Sequence, residues 1–308
     1  MASAPLLCDG AAMLPFLFLA LAGIFWGLGF PLGKIALHEM GAAHMVLLRF
    51  AIAAVVSLPF ALASREARAL FRSAPVVIAG ICYGVAFVVQ FEGLARVTVT
   101  LAALLVGAMP ALIAIAAFLL RERVSRASWI GVAAATLGAV LIAGKPDGSG
   151  TPLGIALSLI ALLIFLAWLL ALRRAPKTAS AMAVPAVTVV IAALAVFPIA
   201  LLLHGAPPLR MSAAAWAGIA GQGLLSTFLA TVAWNIGASR VGSAAAGVFI
   251  NIEPLVGSIL GIGFFGDPAG ATILVGGTMI IVGSIVTVLG ERPADGGLAD
   301  AAHGLSTD

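Results

Sequence analysis

Glu253 is a carboxylic acid set in the middle of an apolar run, with Pro254 beside it and Asn251 two residues before it. In hydrocarbon a carboxyl must be protonated, paired or in touch with water. Such a group can carry a proton or a cation, or it can be the structural partner of Arg49, the base inside another apolar run. Pro254 has no backbone N–H and so releases the carbonyl of Ile250. On an ideal helix Asn251 and Glu253 are about 200° apart. One of them therefore faces a cavity and the other a neighbouring helix, unless Pro254 distorts the turn.

Tyr83 and Gln90 are seven residues apart, with Ala86 between them, so one helix face carries an aromatic plate and an amide. That pair suits the wall of a small-molecule site. Thr227 and Trp234 have the same spacing further along the chain. Gln222 and Trp168 are further candidates for a cavity lining. The alternative use of Tyr83, Trp168 and Trp234 is to fill helix contacts. Glu92 and Arg96 are at i,i+4 and are expected to pair structurally. Trp26, Gly27, Gly29, Phe30, Pro31 and Gly33 make one stretch easy to bend, which suits a moving gate or a static kink. Pro110 and Pro254 are candidate hinges.

Catalytic patterns are missing from the sequence. Gly261 to Gly266 reads GxGxxG, yet it ends a long apolar run and is followed by Asp267-Pro268 in place of a strand, turn and helix. There is no GxxxxGK[ST] phosphate loop. His38, His44, His204 and His303 are scattered without HExxH spacing, and Cys8 and Cys82 form no CxxC pair, so neither a metal nor a cofactor is expected.

The elements that hold these residues must lie in a bilayer. Hydrophobic residues make up 63% of the chain, charged residues 9%, and the mean hydropathy is +1.20. A soluble domain needs about a quarter of its residues charged. Ten apolar runs, near 13–33, 43–63, 75–95, 98–120, 127–144, 152–173, 180–203, 213–235, 241–265 and 269–290, are each close to the ~20 residues that cross ~30 Å of hydrocarbon as a helix. Trp129 and Trp216, near two run starts, read as interfacial anchors. The expected architecture is an all-α integral membrane protein. The net charge of +4 comes from short basic clusters between the runs, which read as topogenic signals and not as a nucleic-acid face.

A doubled signature organises the runs. Arg96 and Pro110 are followed by Glu122, Gly131 and Gly138; Arg240 and Pro254 by Asp267, Gly276 and Gly283. The Arg-to-Pro, acid-to-Gly and Gly-to-Gly gaps agree at 14, 9 and 7, with one extra residue between Pro254 and Asp267. Five helices per unit would turn the second copy upside down in the membrane. Charge placement agrees. With the N-terminus inside, Arg65, Arg68, Arg72, Arg121, Arg123, Arg126, Arg173, Arg174, Lys177, Arg240 and Arg292 are cytoplasmic, against Lys34, Arg96, Lys145 and Arg210 outside. Both termini are therefore expected in the cytoplasm. The GxxxG patterns Gly80–Gly84 and Gly257–Gly261 serve close helix packing within the bundle or a homodimer.

Trp26-Gly27-Leu28-Gly29-Phe30, the Pro-to-acid pattern ending in Arg121-Glu122-Arg123, and its weaker copy from Pro254 to Gly266-Asp267 resemble the EamA-type carriers of the drug/metabolite transporter superfamily. Asp267 stands where the family has Glu, shifted by one residue. The resemblance covers nearly the whole chain. It implies ten transmembrane helices as two inverted five-helix repeats, 13–144 and 152–290, around a central cavity, with an N-terminal tail at 1–12 and a disordered tail at 291–308. It further implies a secondary transporter in the inner membrane that exports an amino acid or similar amphipathic metabolite by alternating access. On this reading Tyr83, Gln90, Trp168, Gln222, Thr227, Trp234 and Asn251 contact the solute. Glu253 couples; Trp26, Gly29, Pro31, Pro110 and Pro254 gate. Partners are a small molecule and the lipid bilayer. Uptake of a metabolite or nucleotide-sugar-like solute, and a non-transporting scaffold, are the alternatives.

Overall fold

A computed structural model describes residues 8–144, 150–178, 180–241 and 243–290. In chain order it contains α1 (Cys8–Leu37), α2 (Ala42–Leu62), the short α3 (Arg65–Ala69) with a 3-10 turn (Leu70–Arg72), α4 (Ala74–Leu94), α5 (Val99–Val106), α6 (Met109–Leu119) and α7 (Arg126–Gly144). Then follow α8 (Pro152–Leu172), α9 (Ala183–His204), α10 (Ala213–Gly221), a π-helical segment (Gln222–Leu229), α11 (Ala230–Ala238), α12 (Ser243–Ile250), α13 (Ile252–Phe265) and α14 (Ala271–Gly290). The described residues form no strand, only an isolated bridge between Val97 and Gly150. Residues 145–149, between the fifth and sixth expected runs, and the tail expected at 291–308 lie outside the described residues.

Nine helices among the described residues are long and apolar enough to cross a membrane; α5 with α6, α10 with α11, and α12 with α13 each count as one. At the expected fifth span the apolar helix found among the described residues is the shorter Arg126–Ile142. Many large side chains point outward, among them Leu202 at 86% and Phe264 at 84% exposure. Only a hydrocarbon solvent makes such a surface favourable.

The bundle is built by pairing helices from the two parts of the chain. α4 packs along α8, α2 along α9, α5 along α13, α7 along α14, and α1 along α10, the π segment and α11. Small residues set the closest approaches. A Cβ on Gly138 would meet Gly276 O at 2.5 Å and Met279 Cβ at 2.9 Å, and Gly131 lies equally tightly against Gly283 and Thr287. The doubled glycines of the sequence thus interdigitate with each other, which lets two helices approach where lipid offers no hydrophobic drive. Gly80 and Gly84 lie against Ile191 and Ala192 of α9, and Gly257 and Gly261 against Ala103 and Thr100 of α5. Both GxxxG faces are occupied within the chain.

The fourth and ninth expected spans are each broken. α5 stops at Val106 and α6 starts at Met109; α12 stops at Ile250 and α13 at once begins at Ile252. Pro110 and Pro254 lie in the first turn of the second half-helix, where their missing N–H has no helical role. The two breaks meet, since a Cβ on Gly107 would stand 3.4 Å from Pro254 Cγ. On one side of this crossing α5 and α13 run together, and Asp267 accepts a 2.7 Å hydrogen bond from Thr100 N. On the other side α6 turns to α8, with Ile113 and Ala116 clustered with Leu169, while Phe249 of α12 stacks on Phe16 of α1.

The extra residue between Pro254 and Asp267 also has a structural reading. α6 and α13 both end in a left-handed residue directly before the acid, Arg121 at φ 65° and Gly266 at φ 64°. The insertion lengthens the helix and leaves the terminating turn unchanged. α1, by contrast, runs unbroken through Pro31, and its glycines serve close packing: Gly23 and Gly27 against Ile252 and Val256 of α13, Gly29 against Ser226.

Candidate functional site

Arg49 is the centre of the polar interior. It is 2% exposed on α2, and its Nε donates a 2.7 Å hydrogen bond to Thr227 Oγ1 in the π segment. Its guanidinium carbon lies 3.9 Å from the centre of the Phe87 ring, a cation–π contact that offsets part of the cost of burying charge. Thr227 in turn donates to Gln222 O at 2.8 Å, five residues back. That bond matches the wider i→i+5 turn, and such segments are frequent at functional sites. Gly223 lets the same segment press onto α2 beside the Arg49 carbonyl, 2.9 Å from where a Cβ would be.

An aromatic box adjoins Arg49. Tyr83 of α4 stacks on Trp168 of α8 at 4.9 Å between ring centres and 28° between planes. Phe87 meets Tyr83 edge-on at 4.9 Å and Phe165 at 5.0 Å, and Phe50 closes the group at 5.4 Å from Tyr83. The indole N–H of Trp168 is buried without a hydrogen-bond partner. A second aromatic pair, Trp26 with Trp234 at 5.2 Å, stands between α1 and α11.

Glu253 lies in the first turn of α13, where the N-terminal end of the helix dipole favours a negative charge. It is half-buried and lies within electrostatic reach of Arg49. It forms no ion pair with Arg49; the ion pairs shown among the described residues are Glu92 with Arg96 at 2.5 Å, Glu122 with Arg173 at 2.7 Å, and Glu92 with His204 at 3.9 Å. The direct Arg49–Glu253 pairing weighed from the sequence is therefore not formed, because Thr227 and Phe87 hold the guanidinium elsewhere. The i,i+4 pair of Glu92 and Arg96 is present as expected. Asn251, 3% exposed, sits in the break between α12 and α13 and donates from Nδ2 to Val248 O at 3.2 Å.

The remaining site residues divide. Tyr83 and Trp168 come together, and Thr227 and Gln222 come together around Arg49 and Gly29. Gln222 Nε2 donates to Gly29 O, while its Oε1 is buried without a partner. Gln90 is buried on the box side of α4. Trp234 is apart from these, packed with Leu19, Ala22, Ala233 and Ala246. Sequence reasoning missed Phe50, Phe87, Phe165 and Ser226, and treated Arg49 only as a partner for Glu253. A base within an apolar run was itself the available signal. No group of three His, Cys, Asp or Glu among the described residues could hold a metal ion.

A family model described as EamA-like transporter family matches residues 13–144 and again 152–289. The chain belongs to the EamA-like transporter family. This EamA protein is accordingly a multi-pass membrane transporter, and permeases of its kind are transporters and not enzymes. The permease-like protein YdzE of Bacillus subtilis (strain 168) is 32% identical to it over 66 residues, which is 21% of this chain and 85% of YdzE. A crystal structure of a protein superimposes with TM-score 0.61 at 20% identity, over 87% of this chain and 94% of that one, a likeness of fold.

Proposed function

We propose that this EamA-family protein is a secondary transporter that exports a small amphipathic metabolite, an amino acid or similar solute, across the plasma (inner) membrane. Its two halves would be inverted five-helix repeats, ten spans in all, with both termini in the cytoplasm. The observation that carries the reading is the meeting of Arg49, Thr227 and Gln222 with the Tyr83, Phe87 and Trp168 rings, contributed by both halves, since polar groups in a membrane interior favour a solute path.

In this mechanism the broken spans meeting at Gly107 and Pro254 are the pivot, with Pro110 and Pro254 as hinges and Trp26, Gly29 and Pro31 on the gate helix. With the orientation given by the basic residues, the α5–α13 side is external and closed, and the opposite side faces the cytoplasm. Tyr83, Gln90, Trp168, Gln222 and Asn251 would line the site, Trp234 would close its far wall, Thr227 would hold Arg49, and Glu253 would carry a coupling proton. A homodimer is compatible with this scheme and unnecessary to it.

The test is counterflow in proteoliposomes loaded with amino acids, nucleosides, sugars or organic cations, with and without a pH gradient. Movement of one class, faster with the gradient and uncoupled in Glu253→Gln, is the expected result. Proteoliposomes that move no solute would overturn the transporter reading, and gradient-independent movement would overturn the proton role of Glu253. Uptake of a nucleotide-sugar-like solute is disfavoured because phosphates recruit several Lys or Arg, and the polar interior described above has Arg49 alone.

A further inference from the structure

Arg49 and Glu253 are opposite charges in one interior, each with hydrogen-bonding capacity to spare. The hydrogen bond of Arg49 uses Nε only, and its two terminal nitrogens are neither bonded nor among the sealed polar atoms. The same holds for the Glu253 carboxylate oxygens. The two groups and Tyr83 lie within electrostatic reach of one another, yet Arg49 and Glu253 remain beyond ion-pair distance.

In a low-dielectric interior opposite charges gain by pairing directly. Here Thr227 and the Phe87 face hold the guanidinium, and Glu253 stands in the first turn of α13 with no side-chain bond to it. The bond from Nε and the contact with Phe87 leave the two terminal nitrogens without a protein partner, and such a pair can take a carboxylate with two parallel hydrogen bonds. A solute with only a negative charge would be repelled by Glu253, and one with only a positive charge by Arg49. A solute carrying both satisfies both. Beside Arg49 the Phe50, Tyr83, Phe87, Phe165 and Trp168 box offers apolar and aromatic surface.

We infer that Arg49 and Glu253 are the two specificity-determining poles of one site for a dipolar solute. The Arg49 guanidinium takes its carboxylate, Glu253 takes its ammonium group, and the aromatic box receives an apolar or aromatic side chain. This inference rests on the transporter reading above and adds the residues that choose the solute.

The experiment measures binding to the purified full-length protein in detergent with three probes of one shape: L-phenylalanine, phenethylamine, which lacks the carboxylate, and 3-phenylpropanoate, which lacks the amine. Wild type is expected to bind phenylalanine at least about tenfold more tightly than either truncated probe, the loss expected for a missing charge-assisted contact. Arg49→Gln should abolish the preference over phenethylamine alone, and Glu253→Gln the preference over 3-phenylpropanoate alone. Arg49→Lys, which keeps the charge, should retain part of the first preference. The wild-type comparison decides even where a variant does not fold. Equal binding of phenylalanine and phenethylamine, or no binding of phenylalanine while a sugar, nucleoside or singly charged solute binds, overturns the two-pole site and leaves the transporter reading standing. Failure of the transporter reading is read separately, from proteoliposomes that move no solute.

Discussion

Arg49 and Thr227, 178 residues apart in the chain, are joined by a 2.7 Å hydrogen bond that fixes the buried guanidinium of the interior. The bond ties α2 to the π segment and so links the two halves that the family model matches separately. Its consequence is positional, because Thr227 decides which way the terminal edge of Arg49 points.

Thr227→Val should therefore destabilise the protein by roughly 1.5–3 kcal/mol, the usual worth of a hydrogen bond to a charged group. Thr227→Ser, which keeps the acceptor, should retain most of that stability. Unfolding of the two variants in detergent under increasing dodecyl sulfate checks the difference.

The α7–α14 seam predicts a contrast between two glycines. Gly138→Leu forces a side chain against Gly276 O and Met279 and should cost about 1–3 kcal/mol by overpacking. At Gly263 no atom stands within 4 Å of an added Cβ, so Gly263→Leu should stay within about 0.5 kcal/mol of wild type. Melting temperatures of both variants, measured side by side, provide the check.

Asp267 satisfies an N-terminal backbone donor of α5 at Thr100 and holds α5 to α13. Asp267→Ala should lose about 1 kcal/mol, as for removal of a helix cap. It should also open that side of the bundle. In a background with Cys8 and Cys82 replaced, maleimide should label Ala103→Cys faster when Asp267→Ala is present; unchanged labelling would remove the latch role.

At the exposed end of the bundle, Ser212 donates to the Glu39 carboxylate from its backbone N at 2.8 Å and from its hydroxyl, which holds the Glu39 carboxyl below its ordinary value. The sign follows from that direction. A carboxylate with a lowered folded value stabilises the protein above the usual Glu range near pH 4.5, and the contribution is lost as pH falls through the lowered value. Any advantage of wild type over Glu39→Gln in thermal unfolding should be present at pH 7 and fade in that acid window.

Much of the architecture was legible in the residues. Apolar runs of membrane length, the doubled Arg, Pro, acid and Gly signature, and the i,i+4 pair of Glu92 with Arg96 are local or periodic features, and helices form where such patterns lie. The paired glycines were visible as a repeat, but not as each other's partners, since Gly131 with Gly283 and Gly138 with Gly276 join positions about half a chain apart. The π segment had no signal of its own. Gln222–Leu229 reads as ordinary helix, and its wider turn accompanies packing against α1 and α2 and the bond from Thr227 to Gln222 O.

The sequence alone determined that this protein lives in a membrane, that it is built twice from one pattern, and that Glu253 and Arg49 must be accounted for in its interior. Composition and period decide such matters because lipid admits only satisfied backbone and few charges. Tertiary structure alone decided that Arg49 belongs to Thr227 and Phe87 and not to Glu253, and that Tyr83 finds Trp168 while Trp234 finds Trp26. Those choices depend on which helix faces which across the bundle, and no spacing along a single helix contains that information.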